Sequence, residues 1–181
     1  MNRALASMLF FVLVAMSLPL RARSQQQVPQ RTVERIQREV RHELLMLPYY
    51  NVFDILSYRV DGDAVTLMGY VTDPVLKKDA ENVVKRIEGV EKVVNQIEVL
   101  PVSTMDDQLR LRLYRAIYGY PALERYSMPV IKPIRIIVKN GNVTLDGVVD
   151  SQADKNLVGL RANGVSGVFS VANNLVVTKS R

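Results

Sequence analysis

The chain has 181 residues, 48% of them hydrophobic and 23% charged, a balance that suits globular folding and excludes disorder as its main state. It holds no cysteine and one histidine, which excludes a disulfide framework, a thiolate metal site and the lipidated cysteine of a bacterial lipoprotein. The net charge of +6 is unevenly spread, with 10 Lys/Arg against 12 Asp/Glu in residues 25–100 and 11 against 6 in residues 101–181, so an anionic partner is expected at the second half.

Residues 1–24 read as a secretory signal: Arg3 supplies positive charge, Ala4 to Leu18 is an apolar run, and Ala22-Arg23-Ser24 offers small residues for cleavage. The run falls short of the roughly 20 residues that span a bilayer, so the expected mature chain starts at Gln25. Thr32 is the expected cap of a first helix, in which Val33, Ile36, Val40, Leu44 and Leu47 recur at helical spacing and which Pro48 ends. Phe53 to Val60 reads as a strand, Asp61-Gly62 as a turn and Ala64 to Val71 as the hairpin partner. Thr72 or Asp73 then caps a helix opened by Pro74, with Leu76, Ala80, Val83, Val84 and Ile87 as its apolar stripe and Gly89 as its stop. A strand from Lys92 to Leu100 completes a unit of helix, strand, strand, helix, strand.

After a linker at Pro101 to Thr104, Asp106 and Asp107 start a second helix-led unit with Leu109, Leu113, Ala116 and Ile117 inward. An insert, Tyr120 to Pro133, separates this helix from a strand at Ile134 to Val138. Asn140-Gly141 predicts a type I′ hairpin turn. Asn142 to Val149, a helix near Gln152 to Asn163, and Ser170 to Thr178 follow.

The second unit repeats the first. Sliding residues 61–99 onto 139–177 without a gap gives 11 identities in 39 pairs. Val65-Thr66-Leu67-x-Gly69-x-Val71 returns as Val143-Thr144-Leu145-x-Gly147-x-Val149, and Gly89-Val90-x-x-Val93-x-Asn95-x-x-x-Val99 as Gly167-Val168-x-x-Val171-x-Asn173-x-x-x-Val177. Repetition settles the architecture as two tandem modules. Gly69 and Gly147 stand inside strand pattern, which points to a bulge or to the close approach of a helix.

These residues, with Ala80, resemble the BON domain, a bacterial module named for osmotic-shock and nodulation proteins. The resemblance implies an α+β fold: two tandem αββαβ units, each a small mixed three-stranded sheet packed against two helices. The domains are expected at 31–101 and 105–178, after the signal at 1–24. It also implies non-enzymatic attachment to phospholipid membranes or envelope assemblies, with envelope or osmotic-stress protection as the setting. Where the first copy has Leu76 and Val83, the second has Asp154 and Arg161, so its second helix is expected to be rotated, shortened or differently covered.

Catalytic and metal chemistry find little support. His42 stands on the first helix beside Glu39 and Glu43, a poor ligand set. Asp61-Gly62-Asp63 is turn chemistry, and Asp146, Asp150 and Asp154 do not share a helix face. With no triad and no phosphate-cradling loop, the expectation is no enzyme, no cofactor and no metal.

The candidate site is basic and aromatic: Arg110, Arg112 and Arg115 on the third helix, then Arg125, Lys132 and Arg135, interleaved with Tyr114, Tyr118, Tyr120 and Tyr126. Arginine pairs bidentately with phosphate, and tyrosine suits a boundary with one apolar and one wet side. By the 3.6-residue period Arg110 lies about 160° from Arg112, so the helix does not present all three on one face. The expected binding residues are Arg110, Arg112, Arg115, Tyr120, Arg125 and Tyr126. The expected partner is an anionic phospholipid surface or an envelope protein, in the periplasm or outside the cell, with no nucleic acid. The alternative reading is a protein adaptor that uses strand edges or the insert.

Overall fold

The spacing of Ile36, Val40 and Leu44 builds helix α1 (Gln30–Leu45), which buries these three against the first sheet. The computed structural model describes residues 30–178, so the expected signal at 1–24 lies outside the described residues. Thr32 already lies inside helix α1, so it is not the cap. Strands β1 (Ile55–Asp61) and β2 (Ala64–Val71) form an antiparallel hairpin with Asp61 opposite Ala64. The turn is thus Gly62-Asp63, one residue later than expected, and Gly62 takes the positive φ of 65°.

Helix α2 (Pro74–Val84) is capped by Asp73, whose carboxylate accepts from Val75 N, with Pro74 in the first turn. It buries Leu76, Ala80 and Val84 against Val65, Leu67 and Val71 of β2. Each such aliphatic side chain contributes about 1.5–3 kcal/mol when fully buried.

The expected last strand is broken into β3 (Lys92–Asn95) and β4 (Glu98–Val99), both parallel to β2. Asn95 causes and supports the break. Its Oδ1 accepts from Ile97 N at 3.1 Å, and its Nδ2 donates to Lys77 O at 2.9 Å, tying the strand to α2.

The second module repeats this order with α3 (Thr104–Tyr118), β5 (Ile134–Lys139), β6 (Asn142–Val149), α4 (Gln152–Asn163), β7 (Ser170–Asn173) and β8 (Val176–Val177). Asn140 and Gly141 both have positive φ, as the type I′ turn requires. Asn173 repeats the clamp of Asn95, donating to Lys155 O at 2.8 Å. The chain is α+β, two tandem units each with a small mixed sheet under two helices.

Gly147 (φ 118°) shows why the repeat holds glycine inside β2 and β6. A Cβ there would stand 1.9 Å from the Pro133 carbonyl oxygen. The close neighbour is backbone of the strand alongside, not a helix.

The loop before β1 docks on the second sheet. Val52 O accepts from Ile136 N at 3.0 Å, Asn51 O accepts from Arg135 Nη1 at 2.8 Å, and the Arg135 guanidinium lies 4.3 Å from the Tyr50 ring centroid. Phe53 meets Tyr114 edge-on, and Lys139 pairs with Glu98.

Candidate functional site

Helix α3 sorts its arginines by their position around the axis. Arg110 faces inward and is 4% exposed; it pairs with Asp107 and donates to Val138 O at 2.7 Å. Arg112 and Arg115, three residues apart, lie on the opposite, solvent-facing side with Met105, Gln108 and Leu111. Among the described residues neither guanidinium has an ion-pair partner. The outer face of α3 is therefore amphipathic, with two cations beside two exposed apolar side chains, Met105 and Leu111.

The other expected residues are occupied within the fold. Tyr120 receives the guanidinium of Arg161 at 4.6 Å from its ring centroid, and Arg161 Nε also donates to Ala116 O at 3.1 Å. Tyr126 is buried, and its hydroxyl donates to Asp154 Oδ2 at 2.9 Å while accepting from Asp150 N at 2.9 Å. Arg125 pairs with both Asp150 and Asp154. Its hydrogen bonds to Asp154 and then Asp150 hold its pKa above the ordinary arginine value. The structure thus brings Arg112 and Arg115 together on one surface and gives Arg110, Tyr120, Arg125 and Tyr126 internal contacts.

These contacts explain the altered last helix. The insert contains a short 3-10 helix, Pro121–Tyr126, that buries Leu123 and Tyr126 in the second core. It supplies the partners that Asp154 and Arg161 require, so α4 is differently covered and not shortened. Burial pushes the Asp154 pKa up, but hydrogen bonds from Ser151, Tyr126 and Arg125 outweigh it and leave the carboxyl below the usual range.

Sequence reasoning missed two buried carboxylates. Asp106, 3% exposed, accepts from Asn140 N at 2.7 Å and Gly141 N at 2.9 Å, holding the hairpin turn against α3. Asp54 accepts from Thr72 N at 2.7 Å, Thr72 Oγ1 at 2.8 Å and Asn51 N at 3.0 Å. Local spacing links Asp54 only to Asn51 N, three residues before it, and not to Thr72, and it links Asp106 to neither Asn140 nor Gly141. The buried Asp106 beside an Asn-Gly turn is recognisable only once α3 and the hairpin are placed together.

An open cleft of about 500 Å³ separates the two sheets, lined by Ser57, Met68 and Tyr70 on one side and Ile137, Thr144 and Asp146 on the other. Its walls mix polar and apolar groups without a convergent cationic or nucleophilic set. Among the described residues no group of three His, Cys, Asp or Glu could hold a metal ion, and no helix is long and apolar enough to cross a membrane.

No curated protein matches the chain. The solved structures that align with it include two of CdsD, a structural protein of the type III secretion system of Chlamydia trachomatis. One shares 12% identity and covers 81% of this chain and 93% of the other, with a TM-score of 0.29. The second, its C-terminal domain, shares 11% and covers 78% and 96%, with a TM-score of 0.27. The BON domain family model matches twice, at residues 32–101 and 106–179. A BON domain is a non-catalytic module that binds phospholipid and associates with the cell envelope, and this chain belongs to the BON family as a tandem of two such domains.

Proposed function

We propose that the protein is an exported envelope factor that docks reversibly on anionic phospholipid surfaces, mainly through its second module, in envelope or osmotic-stress protection. The observation that carries this reading is the outer face of α3, where Arg112 and Arg115 stand exposed without an acidic partner among the described residues. Each cation near an anionic leaflet is worth about 1 kcal/mol, and Met105 and Leu111 on the same face add apolar contact. The charge imbalance of residues 101–181, 11 Lys/Arg against 6 Asp/Glu, favours the same module.

The test is vesicle flotation with the chain from Gln25, which carries every described element and leaves out the apolar leader. The Arg112→Ala/Arg115→Ala variant is expected to bind phosphatidylglycerol vesicles roughly 30-fold more weakly at low salt, at about 1 kcal/mol per arginine. Unchanged binding by a folded double variant removes this face from the account, and recovery of one stoichiometric envelope protein without vesicle binding replaces it with the adaptor reading.

A further inference from the structure

The junction between the modules is a tip seated in a groove, and the repeat holds a second copy of each half. At the junction Val52 and Phe53 pack against the second core, Phe53 lies edge-on to Tyr114 of α3, and Val52 O accepts from Ile136 N at 3.0 Å on the outer edge of β5. The offset that carries residues 61–99 onto 139–177 also carries Asn51-Val52-Phe53 onto Pro129-Val130-Ile131. The glycines keep that offset here: Gly69 approaches the carbonyl of Ile55, and Gly147 that of Pro133. Both tips are closed by a bond across them, from Asp54 N to Asn51 O at 3.1 Å and from Lys132 Nζ to Pro129 O at 2.7 Å. The second tip stands outside the fold, with Val130 97% exposed and Ile131 44%.

The groove is repeated as well. Ile36, Val40 and Leu44 of α1 are buried as Leu109, Leu113 and Ile117 of α3 are, so Arg41 and Leu45 stand where Tyr114 and Tyr118 do. Tyr58 stands where Ile136 does, opposite Leu67 as Ile136 is opposite Leu145. Leu67 O accepts from Gln96 N on the side away from β1, so the backbone groups of Tyr58 point the other way, off the open edge of β1. Among the described residues no group bonds to Tyr58 N. Between α1 and this edge lies an open groove of about 340 Å³, lined by Arg41, Leu44, Leu45, Tyr50, Leu56 and Tyr58.

One chain therefore carries a filled groove at its junction, an empty groove on its first module and an unused tip on its second. The last two do not meet within the chain. We propose that the Val130-Ile131 tip of one chain docks in the α1–β1 groove of a second copy, where Val130 O accepts from Tyr58 N and Ile131 packs on Leu45 and the Arg41 stem. The contact repeats between chains what Val52 and Phe53 do within one, and the braced tip loses little freedom on docking. Being heterologous, it propagates head to tail. Ser57 takes the place of Arg135, whose guanidinium holds Asn51 O at the internal junction, so the contact between copies is the weaker and is reversible. It uses neither Arg112 nor Arg115 and goes beyond the membrane reading.

Sedimentation velocity of the chain from Gln25, without lipid, is expected to show a mass that rises between about 1 µM and about 1 mM, the range of a small transient interface. Val130→Asp/Ile131→Asp spoils the tip alone and Leu45→Glu the groove alone. Each is expected to stay monomeric, whereas an equimolar mixture forms a heterodimer and nothing larger. A wild-type chain that is monomeric throughout overturns the proposal, as does a Leu45→Glu variant that associates like the wild type. Two exposed positions give a reading that does not depend on Leu45→Glu folding. The chain has no cysteine, so Arg41→Cys and Val130→Cys can be mixed and joined by a short bis-maleimide. The heterodimer is expected well beyond its statistical share, and a statistical yield contradicts the contact. Either failure leaves the α3 reading standing, because vesicle flotation reads that face separately.

Discussion

The Tyr126 hydroxyl bridges Asp154 and the backbone of Asp150, donating to one and accepting from the other at 2.9 Å each. A tyrosine from the insert thereby stands in for the apolar contact that Leu76 makes in the first module. Tyr126→Phe removes both bonds and leaves Asp150 N without this partner. The expected loss is about 1–2 kcal/mol in urea unfolding, with an unchanged slope against denaturant.

Two carboxylates of the second module give opposite pH signatures. Asp146, half-buried beside the cleft, has its pKa raised by desolvation, against a smaller opposing hydrogen bond from Gly147 N. A raised acid favours the folded state below its unfolded pKa of about 3.9, and that advantage is lost as pH rises through the folded value. Asp146→Asn is therefore expected to raise Tm at pH 7, with the gain vanishing toward pH 4. Asp154 is depressed, so its contribution is present above about 3.9 and is lost as pH falls through its folded value. Asp154→Asn is expected to lower Tm at pH 7, with the deficit narrowing below pH 4. Thermal melts between pH 3 and 7 check both signs.

Gly69→Ala and Gly147→Ala each place a Cβ about 2 Å from a carbonyl oxygen, at φ of 123° and 118°. Each is expected to cost on the order of 3 kcal/mol. Denaturant unfolding of the two single variants measures it, and a loss below 1 kcal/mol contradicts the close approach.

Arg135 joins the modules through Asn51 O and the Tyr50 ring. Arg135→Ala is expected to loosen the junction while leaving both cores intact, and to speed proteolytic cleavage near the exposed Val102 several-fold. Limited proteolysis followed by mass spectrometry reads the effect. Lys139→Ala, which removes only an exposed ion pair, is expected to change the rate little.

Much of the fold is legible in the sequence because it rests on local signals. Apolar spacing places α1, α2 and α3, Asn140-Gly141 fixes a hairpin, and the repeat carries the second helix of the first module over to α4. What escaped is long-range. Asn95 divides a strand by bonding a carbonyl 18 residues away, and Arg135 reaches Asn51 84 residues away. The candidate site was legible as a set of residue types but not as an arrangement. Helical angle separates Arg110 from Arg112, but nothing local says that Arg125 and Tyr126 fold back onto Asp154.

The most direct test of the account is the partition of the chain from Gln25 into vesicles of phosphatidylglycerol against vesicles of phosphatidylcholine at low salt. At about 1 kcal/mol for each of the two exposed arginines of α3, Arg112 and Arg115, the predicted preference for the anionic vesicles is roughly 30-fold, shrinking as salt is raised. Equal partition into both lipids at low salt contradicts anionic docking.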